Sequence, residues 1–525
     1  MTLFALALKQ AMAKYSWKRS GSLHCCRFLS ASSVTSDFSS LTSTWAPFES
    51  SHGSQLRELP EFQAVERLRD FLRNSGGSAS DSRPISDKSE NYTHEMTREQ
   101  HLLALDAAMA TFSLHVHARM ASLVGKGFYT IGPCGEELLA AGALAFGEQD
   151  ATALHYRHTA MSLVRQLVSG DKSMDEILLG RARAYTVSRY DPVTGGVHCS
   201  VGGGKNEYLV TSTLSSQCPS AVGRALGYSL VSQAGLSQLH GQTEGRKQKS
   251  PISFVSIGDG SLHNHHFLSA FTLARHAKHL KIKCPVIFGI SNNGLSISYE
   301  TKNYLDTVFD QKDPLVPVFR ADGQDMQSVY DQTKQACDYS RQYQSPCVLL
   351  YSNLVRRFGH AATDRQSAYL DETTIQSMTE TCVLEMAIRD AVEKWNLTTY
   401  SEMLDRFEEI HHQTIDRAFA QAIDEPKVTL DDMLGRVSSP LVVVPKAAPS
   451  AGSKSVKATE KPQVLRKQMT RFYDELLTND PSVVYLGEDG MYFHRYICNA
   501  CRSVSFSDFL TYYIHFKFAT VDTTW

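Results

Sequence analysis

No apolar run in this chain of 525 residues is long enough to cross a membrane, which predicts a protein without a spanning segment. Charge of one sign is missing too. Lys and Arg total 53 against 55 Asp and Glu, a formal net charge of −2, so no global basic footprint exists for nucleic acid. The eleven cysteines are scattered, and their one Cys-x-x-Cys pair, Cys498 with Cys501, has neither a second pair for zinc nor a βαβ setting for thioredoxin chemistry. Reduced thiols in an intracellular compartment are the simpler reading. Acidic residues are absent before Asp37, while Lys9, Lys14, Lys18, Arg19 and Arg27 stand among many Ser and Ala. That composition predicts a mitochondrial transit peptide over 1–36. A polar extension over 37–95 follows, with an amphipathic piece from Phe62 to Leu72, and is expected to wrap a neighbouring subunit or to stay mobile.

The remainder has room for two or more domains and a large core. Glu99 to Val124 carries Leu102, Leu103, Leu105, Met109 and Phe112 near helical spacing, predicting a long helix. Further helices are expected after Gly135 and from Ala221. Strands are expected at Ile252–Ile257, Pro285–Ile290 and Pro346–Tyr351, and such alternation predicts a doubly wound parallel α/β sheet. The first strand breaks at Gly258-Asp259-Gly260, delivering a carboxylate to the carboxyl edge, where ligands of open α/β sheets sit. The second delivers Asn292 and Asn293 to the same edge.

Magnesium takes hard oxygen ligands and few of them from protein when phosphate and water complete its octahedron. One Asp, one Asn side chain and one main-chain carbonyl suffice. Gly258 and Gly260 are expected to let backbone approach a phosphate, and a helix beginning near Leu262 to aim its free N–H groups at the anion. A Gly-Asp-Gly turn alone is common in ordinary α/β proteins. Its pairing with a strand-borne Asn-Asn across one crossover is what favours a magnesium-diphosphate clamp.

With that pairing, four further segments occur in order: Lys126 to Glu137, Leu154 to His158, Leu209 to Gly223 and Arg356 to Asp364. From about Thr97 to about Pro445 the chain resembles the alpha subunit of the decarboxylating component of thiamine-diphosphate-dependent 2-oxo acid dehydrogenases. The likeness is nearest to the branched-chain (2-oxoisovalerate) type in a version with alpha and beta regions fused. The resemblance implies the transketolase-like fold, thiamine diphosphate and Mg2+, and a location in the mitochondrial matrix. It matches Tyr156 and Arg157 to the diphosphate, Ser212 and Leu214 to cofactor contacts, and Asp259, Asn293 and the carbonyl of Leu295 to the metal. Gly258 and Gly260 belong to the same cofactor-binding stretch, and His360 matches the active-site histidine. In the family the cofactor performs the carbon chemistry of oxidative decarboxylation, and the acyl group passes to a lipoyl group on an acyltransferase partner. The implied partners are a beta-type subunit or domain, that acyltransferase, the 2-oxo acid and further copies in an oligomer, with no nucleic acid. Pyruvate or acetoin as substrate, or a non-catalytic assembly role, are the alternatives.

Two departures stand out. Many relatives carry Arg directly before Asn-Asn, where Ser291 stands here, and relatives regulated by phosphorylation have Ser after the loop histidine, where Ala361 stands. The histidines at 263, 265, 266, 276 and 279 invite a zinc reading, but ten helical residues between His266 and His276 span roughly 15 Å, too far for one ion. Helix-face histidines are the preferred reading. The implied layout is a dehydrogenase domain over 96–400, C-terminal helices over 401–443 and a linker over 444–463. A beta-type beginning follows over 464–489, then an unmatched tail over 490–525, as if the product were truncated.

Overall fold

The computed structural model describes residues 41–75, 92–128, 131–191, 201–210, 213–233, 250–301, 304–309 and 315–438, with isolated positions between 468 and 479. The expected targeting segment, linker and unmatched tail lie outside the described residues. So do all but isolated positions of the beta-type beginning. Two compact units divide the chain: Met1–Ala225, Lys249–Ala274 and Pro285–Val428 form the first, and Leu226–Gln248, Arg275–Cys284 and Thr429–Trp525 the second.

Five parallel strands build the sheet: β1 (Ala151–Ala153), β2 (Ser253–Gly258), β3 (Val286–Ser291), β4 (Val318–Asp322) and β5 (Cys347–Ser352), in the order β1-β2-β3-β5-β4. The fold is therefore α/β with crossover connections, as the alternation predicted. β2, β3 and β5 are covered on both faces, which is why each is largely apolar, with Ser253 and Ser256 as buried polar interruptions in β2. Gly258 pairs in register with Ser291, so β2 and β3 end level. Asp259 and Asn292 leave the sheet at the same height.

In the first unit, helices α1 (Glu49–Glu58), α2 (Pro60–Ser75), α3 (Arg98–Leu123), α4 (Thr159–Ser169) and α5 (Met174–Tyr185) precede the clamp strands. The start of α6 (Gln217–Gln233) and most of α7 (His265–His279) belong to it as well. Beyond β3 come α8 (Tyr304–Val308), α9 (Met326–Tyr343), α10 (Glu372–Glu380), α11 (Val383–Arg389), α12 (Tyr400–Glu408) and α13 (Asp416–Asp424). The described part of the second unit comprises the ends of α6 and α7, the turn after α7, α14 (Leu430–Ser438) and a few single positions beyond. Helix α3 is buried almost all round, the mark of a central helix, and a Thr97–Gln100 capping box starts it.

Three expectations are corrected. The N-terminal extension does not leave the body: Leu56, Ala64, Val65, Leu68 and Leu72 join this chain's own core. Arg69 pairs with Glu408 at 2.8 Å and Arg119 with Glu61 at 2.8 Å, fastening α2 to α12 and α3. The run after Gly135 is a 3-10 helix, Glu137–Ala145, in place of an α-helix. Helix α7 begins at His265, not near Leu262, because Asp259–Ser261 forms a separate 3-10 turn and the side chain of Asn264 accepts from His266 N.

Candidate functional site

At the carboxyl ends of β2 and β3 lies a cavity of about 310 Å³, within the size range of small-molecule sites. Asp259 and Asn293 both border it, together with Tyr156, Arg157, Leu214, Gly258, Gly260, Leu295 and His360. Ser212 lies outside the described residues. The Asp259 carboxylate accepts from Gly294 N at 3.0 Å, from Gly260 N at 3.1 Å and from the Thr301 hydroxyl. Burial pushes its pKa up to about 6, against the pull of those hydrogen bonds. A buried carboxylate disfavoured in this way gains from a cation beside it. The Asn293 side chain accepts from Leu295 N at 3.1 Å, so this amide and the Leu295 carbonyl belong to one turn. The donor set is hard oxygen and suits magnesium.

Only one of the two glycines around Asp259 is sterically required. A Cβ on Gly260 would lie 2.8 Å from Ser296 Cβ, whereas one on Gly258 would meet nothing closer than 3.6 Å. Arg157 is buried and donates to the Gly132 carbonyl, to His360 Nδ1 at 2.9 Å and to the His360 carbonyl at 3.1 Å. Among the described residues no carboxylate lies within ion-pair distance of it. A buried guanidinium on a cavity wall without a carboxylate partner suits an anion such as a diphosphate. Tyr156 packs with Ile131 and Ala361, and those two residues form an antiparallel bridge. The bridge joins the segment before Gly135 to the loop that carries His360.

His360 is half-buried, and its main-chain N–H donates to the Asp364 carboxylate at 2.7 Å. Burial, with Arg157 and Arg356 adding to it, lowers its pKa to about 4. Because a guanidinium only donates, Nδ1 is the acceptor and Nε2 of the neutral ring carries the proton. The loop histidine is thus an N–H donor at neutral pH and not the cation that a purely electrostatic hold on a phosphate would need.

Several residues given no role from sequence shape this site. Arg356 donates to the carbonyls of Ser296 and Ile297, each at 2.6 Å, and to the Tyr369 hydroxyl, fixing the cavity wall opposite Gly260. Ser291, at the position of the arginine of many relatives, is fully buried and bonds His158 Nε2 at 2.7 Å. His158 Nδ1 bonds Ser256 Oγ at 2.8 Å, and Glu136 Oε2 stands 3.2 Å from His158 Nε2. Burial pushes the Glu136 carboxyl up, but His158 and Arg157 outweigh it and hold the group below its ordinary value. Burial also drives His155 well below the usual histidine range, with His158 and Arg157 adding to the effect. Among the described residues, the histidines on and before α7 do not gather three ligating groups.

A five-stranded parallel sheet brings a carboxylate and a buried guanidinium to one cavity at its carboxyl edge, the place where ligands of open α/β sheets sit. Residues 108–431, more than half of the chain, match the model of the family described as dehydrogenase E1 component. The chain belongs to that family, which is thiamine diphosphate-dependent. Among curated proteins it is similar to the mitochondrial 2-oxoisovalerate dehydrogenase subunit alpha of Caenorhabditis elegans, 29% identical over 177 residues, 33% of this chain and 36% of the relative. It is also similar to the mitochondrial pyruvate dehydrogenase E1 component subunit alpha, somatic form, of Bos taurus and of Homo sapiens. These are 27% and 26% identical over 181 residues, 34% of this chain and 45% of each relative. The match thus spans 36–45% of the length of these curated relatives.

Proposed function

We propose that this chain is the alpha-type part of a 2-oxo acid dehydrogenase decarboxylating component of the mitochondrial matrix, acting on branched-chain 2-oxo acids. A beta-type subunit or domain would complete its active site, in an oligomer, and a lipoyl-bearing acyltransferase would receive the acyl group. The observation that carries this reading is the meeting of Asp259, Arg157, His360 and the Asn293–Leu295 turn around one cavity. Arg157 and Tyr156 would hold the diphosphate, Ser212 and Leu214 the rest of the cofactor, and Asp259, Asn293 and the Leu295 carbonyl a Mg2+ between protein and phosphate. When bound, thiamine diphosphate supplies a nucleophilic carbon and an electron sink for decarboxylation. The chain's own contributions are orientation, exclusion of water and a proton at His360 Nε2, which Arg157 keeps on the cavity side by engaging Nδ1.

Pyruvate is the second reading, favoured by relatives named for pyruvate as well as for 2-oxoisovalerate. Pocket contacts separating such acids are worth only about 1–3 kcal/mol per methylene. Calorimetry of the full chain with thiamine diphosphate and Mg2+ tests the site, and Asp259→Ala is expected to abolish metal-dependent binding. Unchanged affinity in that variant would refute the assignment. Turnover of the chain with a beta-type partner on branched-chain 2-oxo acids against pyruvate tests the substrate.

A further inference from the structure

At the wall of this cavity, which His155 itself lines, three groups that no step above uses come together. Glu136, His155 and His158 each place one ligating atom within 4.8 Å of the other two, and all three side chains are buried. His155 and His158 are brought to one side of the chain by the turn in which His158 N bonds the His155 carbonyl at 2.9 Å. Glu136 arrives from the segment fixed by Gly135, where φ is +99° and a Cβ would sit 1.6 Å from the Val355 carbonyl oxygen. Position and backbone are therefore set by the fold on both sides of the cluster.

Two atoms of the cluster receive no hydrogen bond. Glu136 Oε2 is 3.2 Å from His158 Nε2, close enough for the imidazole to favour the carboxylate, but that nitrogen is engaged with Ser291 Oγ at 2.7 Å and the oxygen has no hydrogen bond of good geometry. His155 Nδ1 is likewise buried without a partner. Orphaned buried polar atoms cost roughly 1–3 kcal/mol each, and native proteins leave few of them. One bound cation satisfies both at once.

We propose that Glu136, His155 and His158 form a site for one zinc-type divalent ion, distinct from the oxygen-lined position at Asp259. Two imidazoles and a carboxylate are the ligand set of a zinc site with an open fourth position. At metal–ligand bonds of about 2.0–2.1 Å, tetrahedral donors stand roughly 3.4 Å apart, so the ligating atoms must draw together from their present spacing within 4.8 Å, and His158 Nε2 must give up its bond to Ser291 Oγ. Ser291 Oγ, beside His158 Nε2, is placed to offer a hydrogen bond to whatever fills the fourth position. The ion would tie the Glu136 segment to the His155–His158 turn that carries Tyr156 and Arg157, and would add positive charge beside the cavity where Ser291 supplies none.

The test uses the full chain, stripped with a chelator and then equilibrated with Zn2+ or, for spectroscopy, Co2+. The expected result is one equivalent of zinc retained through gel filtration, visible Co2+ bands typical of nitrogen ligation, and a zinc-dependent rise in Tm. His155→Gln is expected to remain folded, because the native Nδ1 has no partner to lose, and to weaken zinc retention at least tenfold; Glu136→Gln should do the same. Asp259→Asn, which removes the hard-oxygen position, is expected to leave zinc and the Co2+ bands in place. A folded wild-type chain that retains no zinc overturns the proposal, leaving a metal-free Glu136–His158 pair. So does retention that survives His155→Gln yet disappears in Asp259→Asn.

Discussion

Gly258 and Gly260 flank the same aspartate and look equivalent in sequence, yet alanine at the two positions is expected to have opposite outcomes. The Cβ of Gly260→Ala would lie 2.8 Å from Ser296 Cβ and 3.0 Å from Ser296 Cα. Comfortable carbon contacts begin at about 3.5 Å, so the overlap is roughly 0.7 Å, and it falls partly on backbone. Overpacking of this kind costs about 1–3 kcal/mol. The displaced wall, Ser296 and Ile297, is the one clamped by Arg356, so it does not yield freely. At Gly258 the nearest atoms to a new Cβ are in the His155 ring, at 3.6 and 3.7 Å, and its β-region backbone accepts alanine. Its effect on folding should stay within about 0.5 kcal/mol. Denaturant midpoints of the full chain without cofactor read this directly: Gly260→Ala should fall with m unchanged, Gly258→Ala should not, and Ser296→Gly added to Gly260→Ala should restore part of the loss. If the strain appears in the bound state instead, the same 1–3 kcal/mol is about a 5- to 150-fold weaker Kd for thiamine diphosphate. Equal midpoints for the two alanine variants would refute the reasoning.

Other expectations concern buried carboxyls. Burial raises Glu207 to about 6, with Ser162, Gln166 and Arg165 pulling against it. A raised acid contributes stability that is complete below its unfolded value near 4.5 and is lost as pH passes 6, an effect of about 2 kcal/mol. Thermal melts of Glu207→Gln against wild type should therefore move in the variant's favour between pH 4.5 and 7, and a constant difference would contradict the assignment. Glu61 is the reverse case: burial pushes it up, but His115 and Arg119 bring it down to about 2. Its contribution is present above about 4.5 and disappears as pH falls toward 2, so Glu61→Gln should cost about 3 kcal/mol at pH 7, with a deficit that narrows in acid.

The three central strands were legible because burial on both faces writes itself as a mostly apolar run without polar alternation. β1 was not, since Ala-Thr-Ala is too short to show a period, and β4 at the sheet edge mixes half-buried and exposed residues. The meeting of Asp259 and Asn292 at one edge followed from two strand ends and their spacing, and the register of Gly258 with Ser291 is the physical form of that inference. Arg356 escaped because its work is done on main-chain carbonyls that no side-chain pattern reveals. Glu136, His155 and His158 escaped for another reason. The segment from Leu154 to His158 was singled out for Tyr156 and Arg157, while the carboxylate that completes the cluster arrives from a turn whose geometry hangs on Gly135.

Helix α2 lies wholly outside the stretch that matches the family, yet it closes the hydrophobic interior around α3 and neutralises Glu408. Anyone trimming an expression clone to the matched boundaries would uncover a leucine-rich seam and take Arg69 from Glu408, Glu61 from Arg119 and Asp106 from Arg406. Such a fragment should precipitate for reasons unrelated to its chemistry, and a clone intended for assay ought to start before Leu41.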